Sequence, residues 1–123
     1  MHLNFQPSQP AEKEIAFDYF LNVDMRIGEV LEVKDFPEAR NPSYILKIDF
    51  GEGIGIKKSS AQLTVHYAKE DLLGKKVLAV VNFPSRQVGK IMSEVLVMGF
   101  SDKEGGIVLF ELDKNVPNGS RLH

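Results

Sequence analysis

The chain has 123 residues, no cysteine and a formal net charge of −2, with 43% apolar and 26% charged residues. That length holds one domain with one hydrophobic core, and the composition is that of an ordinary globular protein. The missing thiols exclude disulfides, a cysteine nucleophile and a thiolate metal site. The acidic balance argues against a protein that coats phosphate backbones indiscriminately.

Polar residues and prolines from Gln6 to Pro10 break any apolar leader, and the longest apolar run, Val77 to Val81, is far too short for a membrane span. No export leader, no membrane insertion and a cytoplasmic location are therefore expected. Residues 1–16 read as an N-terminal extension, mobile over its first eleven residues, and residues 17–123 as the domain proper. A short helix is predicted within Glu12 to Leu21, following Pro10.

Strand periods begin at Val23. Met25-Arg26-Ile27 alternates, Gly28 interrupts in the manner of a bulge or sharp bend, and the strand continues through Val33. Phe36 to Ser43, with two prolines and an asparagine, predicts a loop. Leu46, Ile48 and Phe50 then share one strand face, with Lys47 and Asp49 on the other. Gly51, Gly53 and Gly55 have neither the Lys-Ser/Thr step nor the following helix of a phosphate loop, so the spacing predicts a hairpin turn into Ile56 to Ser59. Gln62 to Leu73 suits one or two short helical turns, and strands are predicted at 76–82, 94–100 and 106–112, the last two joined by the turn cluster Ser101 to Gly106. Five or more short strands with one inserted helical segment suit a closed Greek-key barrel, an all-β fold with a short N-terminal helix and C-terminal extension strands. Periodicity alone leaves a sandwich open.

Catalytic patterns are weak. His2 and His123 sit at the chain ends, and His66, beside Tyr67 in a helical turn, reads as a surface or half-buried structural residue. Zinc-ligand spacing is missing, as is a nucleophile elbow around Ser59, Ser60 or Ser93. The acid pairs Glu12/Glu14, Glu70/Asp71 and Asp102/Glu104 read as solvated surface. No enzyme activity, no cofactor and no metal are expected.

The informative stretch runs from Asn82 to Leu96. Between two apolar strands it turns at Pro84, presents Arg86 and Lys90, passes Gly89 and ends in Ser93-Glu94. A polar, basic excursion on a rigid β base is a means of displaying a binding surface. Lys57 and Lys58 follow the glycine turn and could face it, the cations meeting phosphates while Asn82 and Ser93 reach sugars or base edges. The competing reading makes these lysines charges that block edge pairing, and no aromatic residue lies between Arg86 and Glu94 for base stacking.

The pattern N-x-P-x-R-x-x-G-x-x-S-E resembles the tRNA-binding domain family of oligonucleotide-binding barrels. Further marks are Phe20-x-x-x-Asp24-Met25-Arg26-Ile27-Gly28-x-Val30, Asp49-Phe50-Gly51, Ile56 to Gln62 and the closing Val116-Pro117-Asn118-Gly119-Ser120. Ser93-Glu94-Val95-Leu96 replaces the Ser-Glu-Gly-Met of most relatives, a departure shared with the branch of CsaA-type export chaperones. The resemblance implies a five-stranded oligonucleotide-binding (OB) barrel and a homodimer that binds non-native or preprotein segments without ATP, with tRNA binding as the alternative. On that reading Lys57, Lys58, Asn82, Arg86, Lys90 and Ser93 would form an RNA site. Met92, Glu94 and Leu96 would meet peptide, and Phe17, Phe20, Phe110, Leu112 and Val116 would form the dimer interface. Met98, within a strand, reads as core.

Overall fold

The computed structural model describes residue 3 and residues 5–123. Its elements in chain order are α1 (Phe17–Leu21), β1 (Met25–Asp35), β2 (Tyr44–Asp49), β3 (Ile56–Ala61), α2 (Lys69–Leu72), β4 (Lys76–Val80), β5 (Arg86–Val88), β6 (Ile91–Ser93), β7 (Leu96–Val97), β8 (Gly99–Ser101) and β9 (Ile107–Leu109). Five strands form an antiparallel sheet in the order β3-β2-β1-β4-β7, which curls into a nearly closed barrel. β5 pairs with β6, and β8 with β9, as separate hairpins.

Alternation sorts the side chains onto two faces. Val30, Leu46, Ile48, Ser59, Ala61, Val77 and Ala79 point inward, and with Phe50, Leu63, Leu72, Val95 and Leu109 the apolar members make the main core. On the outside of β1 and β4 a second cluster forms from Met25, Ile27, Leu78 and Val80, covered by Phe20, Val23, Met98 and Val116. β4 is therefore buried on both faces, which is why Val77 to Val80 carries no polar residue where a half-exposed strand would alternate. The core assignment of Met98 holds: it packs on this cluster, and its N–H donates to Leu78 O at 2.9 Å.

β1 is long enough to serve two neighbours on one edge. Its second half pairs with β2 from Glu29↔Asp49 to Asp35↔Tyr44. Beyond the reach of β2, its first half takes the C-terminal segment instead: Ile27 N–H donates to Ser120 O at 2.9 Å, Gly119 N–H to Ile27 O at 2.7 Å and Leu122 N–H to Met25 O at 2.9 Å. The register irregularity that bends β1 lies between Val30 and Glu32, not at Gly28. Gly28 answers a different need, because a Cβ there would stand 2.5 Å from Ile48 and 2.7 Å from the Phe50 ring.

The glycine-rich segment is the expected turn, closed by Phe50 N–H to Gly55 O at 3.0 Å and Gly55 N–H to Gly51 O at 2.7 Å. Three expectations need correction. The helix predicted within Glu12 to Leu21 is confined to Phe17–Leu21, the part in which Phe20 packs on the outer cluster, while residues 12–16 are all exposed. The strand predicted over 94–100 is two pieces, β7 and β8. It breaks at Met98, where the chain leaves the barrel sheet, and Gly99 lets β8 approach β9 so closely that a Cβ would stand 2.7 Å from Ile107. The strand predicted over 106–112 is only Ile107–Leu109, since β8 offers three residues to pair.

Gly28→Ala should lower stability by about 1–3 kcal/mol through overpacking, read as a shift of the urea midpoint. Gly53→Ala, where an added Cβ meets nothing within 4 Å, should stay within about 0.5 kcal/mol of the parent. Equal losses at the two positions would refute the close-approach account.

Candidate functional site

The segment from Asn82 to Leu96 is mostly an ordered hairpin. β5 and β6 pair Arg86↔Ser93, Gln87↔Met92 and Val88↔Ile91 across the two-residue turn Gly89-Lys90. Gly89 has φ +55°, as the first central residue of a type II′ turn needs. Its flank is tight: a Cβ would stand 3.2 Å from the Phe36 ring, so the hairpin tip rests on the loop after β1.

The base of the hairpin closes the barrel. The free edge of β3 presents backbone groups that must find partners. Glu94 N–H donates to Lys58 O at 2.8 Å, and Glu94 Oε1 accepts Lys58 N–H at 2.9 Å. Ser93 Oγ accepts Ser60 N–H at 3.0 Å, and the buried Ser59 hydroxyl donates to Val95 O at 3.1 Å. Ser93 and Glu94, read from sequence as RNA and peptide contacts, are thus already engaged in closure. Asn82 is likewise occupied. Its Oδ1 accepts Asp24 N–H at 2.9 Å and its Nδ2 donates to Asn22 O at 2.8 Å, clamping the end of β4 to the start of β1.

The basic residues separate into distinct positions. Lys57 and Lys58 point to opposite faces of β3: Lys57 is opposite Ile48 on the inward side and half-buried, and Lys58 is opposite Lys47 on the outer side. Arg86 stands one cross-strand step from Ser93, whose hydroxyl touches β3, so Arg86 is at the closure end of the hairpin. Lys90 is at the hairpin tip, at the far end from that closure. Lys34 and Lys47 were missed by sequence reasoning and extend the outer basic face. Glu32 bridges them at 3.1 and 3.3 Å, and the Lys34 hydrogen bond, followed by that of Lys47, holds the Glu32 carboxyl below its ordinary range. A small concavity lined by Glu32, Lys34, Ile45, Lys47 and Lys58 lies here. The alternation of Leu46 and Ile48 with Lys47 was the available signal.

The motif Asp24-Met25-Arg26-Ile27-Gly28 is architectural throughout. Asp24 receives Arg26 at 2.5 and 3.2 Å and Arg121 at 3.4 Å, while Arg26 Nη1 donates to Gly119 O at 3.1 Å. Met25 and Ile27 supply the outer cluster.

Apolar candidates fall in two areas. Phe17 is 66% exposed, and its ring lies 5.9 Å from that of Phe20, which packs with Val116 on the outer cluster. The Phe110 ring lies 5.1 Å from that of Phe100, tilted by 50°, Phe100 itself is 60% exposed, and Leu112 lies exposed just beyond. Phe100 was not foreseen, because a continuous strand through Phe100 would have placed it in the barrel sheet. Met92 is exposed opposite Gln87, whereas Leu96 is exposed opposite Val80 on the outer face of β4. His2 lies outside the described residues. Among the described residues no cluster of three or more His, Cys, Asp or Glu could hold a metal ion, and no helix is long and apolar enough to cross a membrane.

Residues 25–121 match the family described as "Putative tRNA binding domain". The chain belongs to the tRNA-binding domain family. Within it the chain is similar to the chaperone CsaA of Bacillus anthracis, at 44% identity and a TM-score of 0.83, over 90% of this chain and 100% of that one. The CsaA chaperone protein of Picrophilus torridus matches equally well, at 44% identity and 0.83, over 89% and 100%. The methionine–tRNA ligase of Porphyromonas gingivalis is 32% identical over 92% of this chain but only 16% of its own length. The chain spans about one-sixth of the curated relatives it matches.

Glu94→Ala should leave Lys58 N–H without its acceptor. The expected result is a loss of about 0.5–1.5 kcal/mol, with faster amide exchange at Lys58 and Ser60 before any change in β2. Unchanged exchange at both amides would show that closure does not depend on the carboxylate.

Proposed function

We propose that the chain is a non-catalytic, ATP-independent chaperone of the CsaA type, acting as a homodimer on non-native or preprotein segments. The observation that carries this reading is its 44% identity to two CsaA chaperones along their whole length. The methionine–tRNA ligases, by contrast, align only over a small part of theirs.

The outer surface supports association. Phe17, Tyr19 and Leu21 are exposed on the helix whose Phe20 covers the outer cluster, and Phe100, Phe110 and Leu112 are exposed on and after the β8–β9 hairpin, and apolar surface of this kind marks interaction sites. A second copy presenting the same faces would cover it by two-fold symmetry. Phe17 and Phe110 are the proposed anchors, with Phe20 and Val116 buried further by the contact. Sedimentation should give a dimer at micromolar concentration, and the double variant Phe17→Ala/Phe110→Ala should shift it toward monomer. A wild-type monomer would refute this assembly.

Peptide binding is assigned to exposed apolar groups that include Met92 and Leu96, with unbranched methionine adapting to varied partners. Such binding follows apolar area at about 25 cal/mol per Å² and depends weakly on salt. The purified protein should suppress aggregation of an unfolded client without nucleotide, and Met92→Ala should weaken capture with the barrel intact. Failure of the wild type to suppress aggregation overturns the proposal.

A second reading, tRNA binding, is favoured by one specific observation. Lys47 and Lys58 face one another directly across β2 and β3, and although Glu32 partners Lys47 at 3.3 Å, the facing like charges favour a further anion beside Lys58. With Lys34 beside them, this outer face is the one to track a phosphate backbone, and Arg86 at the hairpin base and Lys90 at its tip could extend it. If tRNA binds, Lys47→Ala/Lys58→Ala should reduce affinity and flatten the log–log salt slope by roughly one unit per lost contact. Retained tRNA affinity in a folded double variant places the contacts elsewhere.

A further inference from the structure

The β8–β9 hairpin is attached to the barrel in an unusual way. Among the described residues its strands pair with each other and with no strand of the barrel sheet. Its inward side contributes Leu109 and Ile107 to the main core. Its outward side carries Phe100 opposite Val108, with the Phe110 ring tilted against that of Phe100. Two polar contacts from the segment before α2 hold it in place. Leu109 N–H donates to Tyr67 Oη at 2.9 Å, and the Tyr67 carbonyl is fixed by Tyr44 Oη at 2.8 Å. The second contact joins His66 Nε2 to Asp102 Oδ2 at 2.5 Å.

Asp102 is built into the hairpin turn. Its other oxygen, Oδ1, accepts Glu104 N–H at 2.9 Å and Gly106 N–H at 2.8 Å, and Asp102 N–H donates to Gly106 O at 2.8 Å. Gly106 lies directly against the imidazole, since a Cβ there would stand 2.5 Å from His66 Nε2. One carboxylate therefore shapes the turn with one oxygen and ties it to the barrel with the other.

We propose that His66 and Asp102 form a pH-dependent clasp that holds the β8–β9 hairpin, and with it the Phe100–Val108–Phe110 face, against the barrel.

A neutral imidazole donates one hydrogen bond to the carboxylate, whereas the imidazolium adds a full opposite charge. The imidazolium form therefore holds the clasp more tightly than the neutral ring. Strong acidification releases the clasp. The His66 hydrogen bond, opposed by desolvation and aided by the Glu104 and Gly106 N–H groups, holds the Asp102 carboxyl below its ordinary range. The contribution of such a carboxyl is present above its unfolded-state value and is lost as pH falls through the lowered folded one. Other charges on the elements that meet here are Lys103 and Glu104 in the turn and Lys69, Glu70 and Asp71 in α2. Of these, Lys69 is paired with Asp35 at 2.9 Å and Asp71 accepts Ala68 N–H at 2.9 Å. The clasp stands independently of what binds the apolar face, because it concerns only how that face is held.

The test is amide exchange at Leu109 and Gly106, corrected for the intrinsic pH dependence of exchange. In the wild type, protection should be about three- to fivefold greater near pH 5.5 than near pH 8, the size expected of a partly exposed ion pair. His66→Gln keeps a donor that does not titrate and should abolish this difference. Asp102→Asn keeps the turn-forming oxygen but removes the charge, and should likewise lose most of the gain near pH 5.5. A flat profile in the wild type, or an unchanged pH response in both variants, overturns the proposal.

Discussion

A strand sheet becomes a barrel only if its two outer edges satisfy one another, and here the closing strands are too short to do so by a backbone ladder. β7 offers two residues and pairs with β4, leaving the far edge of β3 without a continuous partner. Side chains complete the seam: Glu94 and Ser93 serve Lys58 and Ser60, and Ser59 reaches Val95 from within. The inward placement of Leu46, Ile48 and Val30 depends on that seam, since an open sheet would expose the face they share. The orientation of the β5–β6 hairpin depends on it too, because the hairpin base is the seam.

The second constraint is the double burial of β4. A small barrel encloses one core, but Leu78 and Val80 point outward and require cover. α1, Met98 and the C-terminal segment supply it with little material. The exposed Phe17, whose ring meets that of Phe20 on this cluster, is a result of this thin cover. The same shortage that exposes it gives the protein a surface suited to association.

Much of this was legible in the sequence because it follows from local period and turn chemistry. The uninterrupted run from Val77 reports a strand buried on both sides, and Gly51, Gly53 and Gly55 report a turn. The fold class followed from the strand pattern together with family-like motifs, and the family match bears it out. What was not legible depends on which way a strand faces and on long-range partners. Lys57 and Lys58, adjacent in sequence, are split between two faces by the pleat. Asn82, Ser93 and Glu94 look like a polar binding loop, yet their hydrogen bonds go to residues 33 to 60 positions away. The irregularity in β1 was expected at Gly28 and lies between Val30 and Glu32, since Gly28 serves the approach of Phe50 rather than a change of register.

The pairing of β1 with the C-terminal segment has a consequence for biogenesis. Arg26 and Gly119 are joined across 93 positions, and Ile27 and Met25 complete their edges with Ser120 and Leu122. During synthesis the amino-terminal half emerges first, at roughly 5–20 residues per second. The first half of β1 must therefore wait, its edge unpaired and its outer apolar residues bare, until residues 119–122 have been made and have left the ribosome. Contacts of such long separation also slow folding in free solution. The nascent chain thus passes through a stage in which its own unfinished strand is an exposed, aggregation-prone segment.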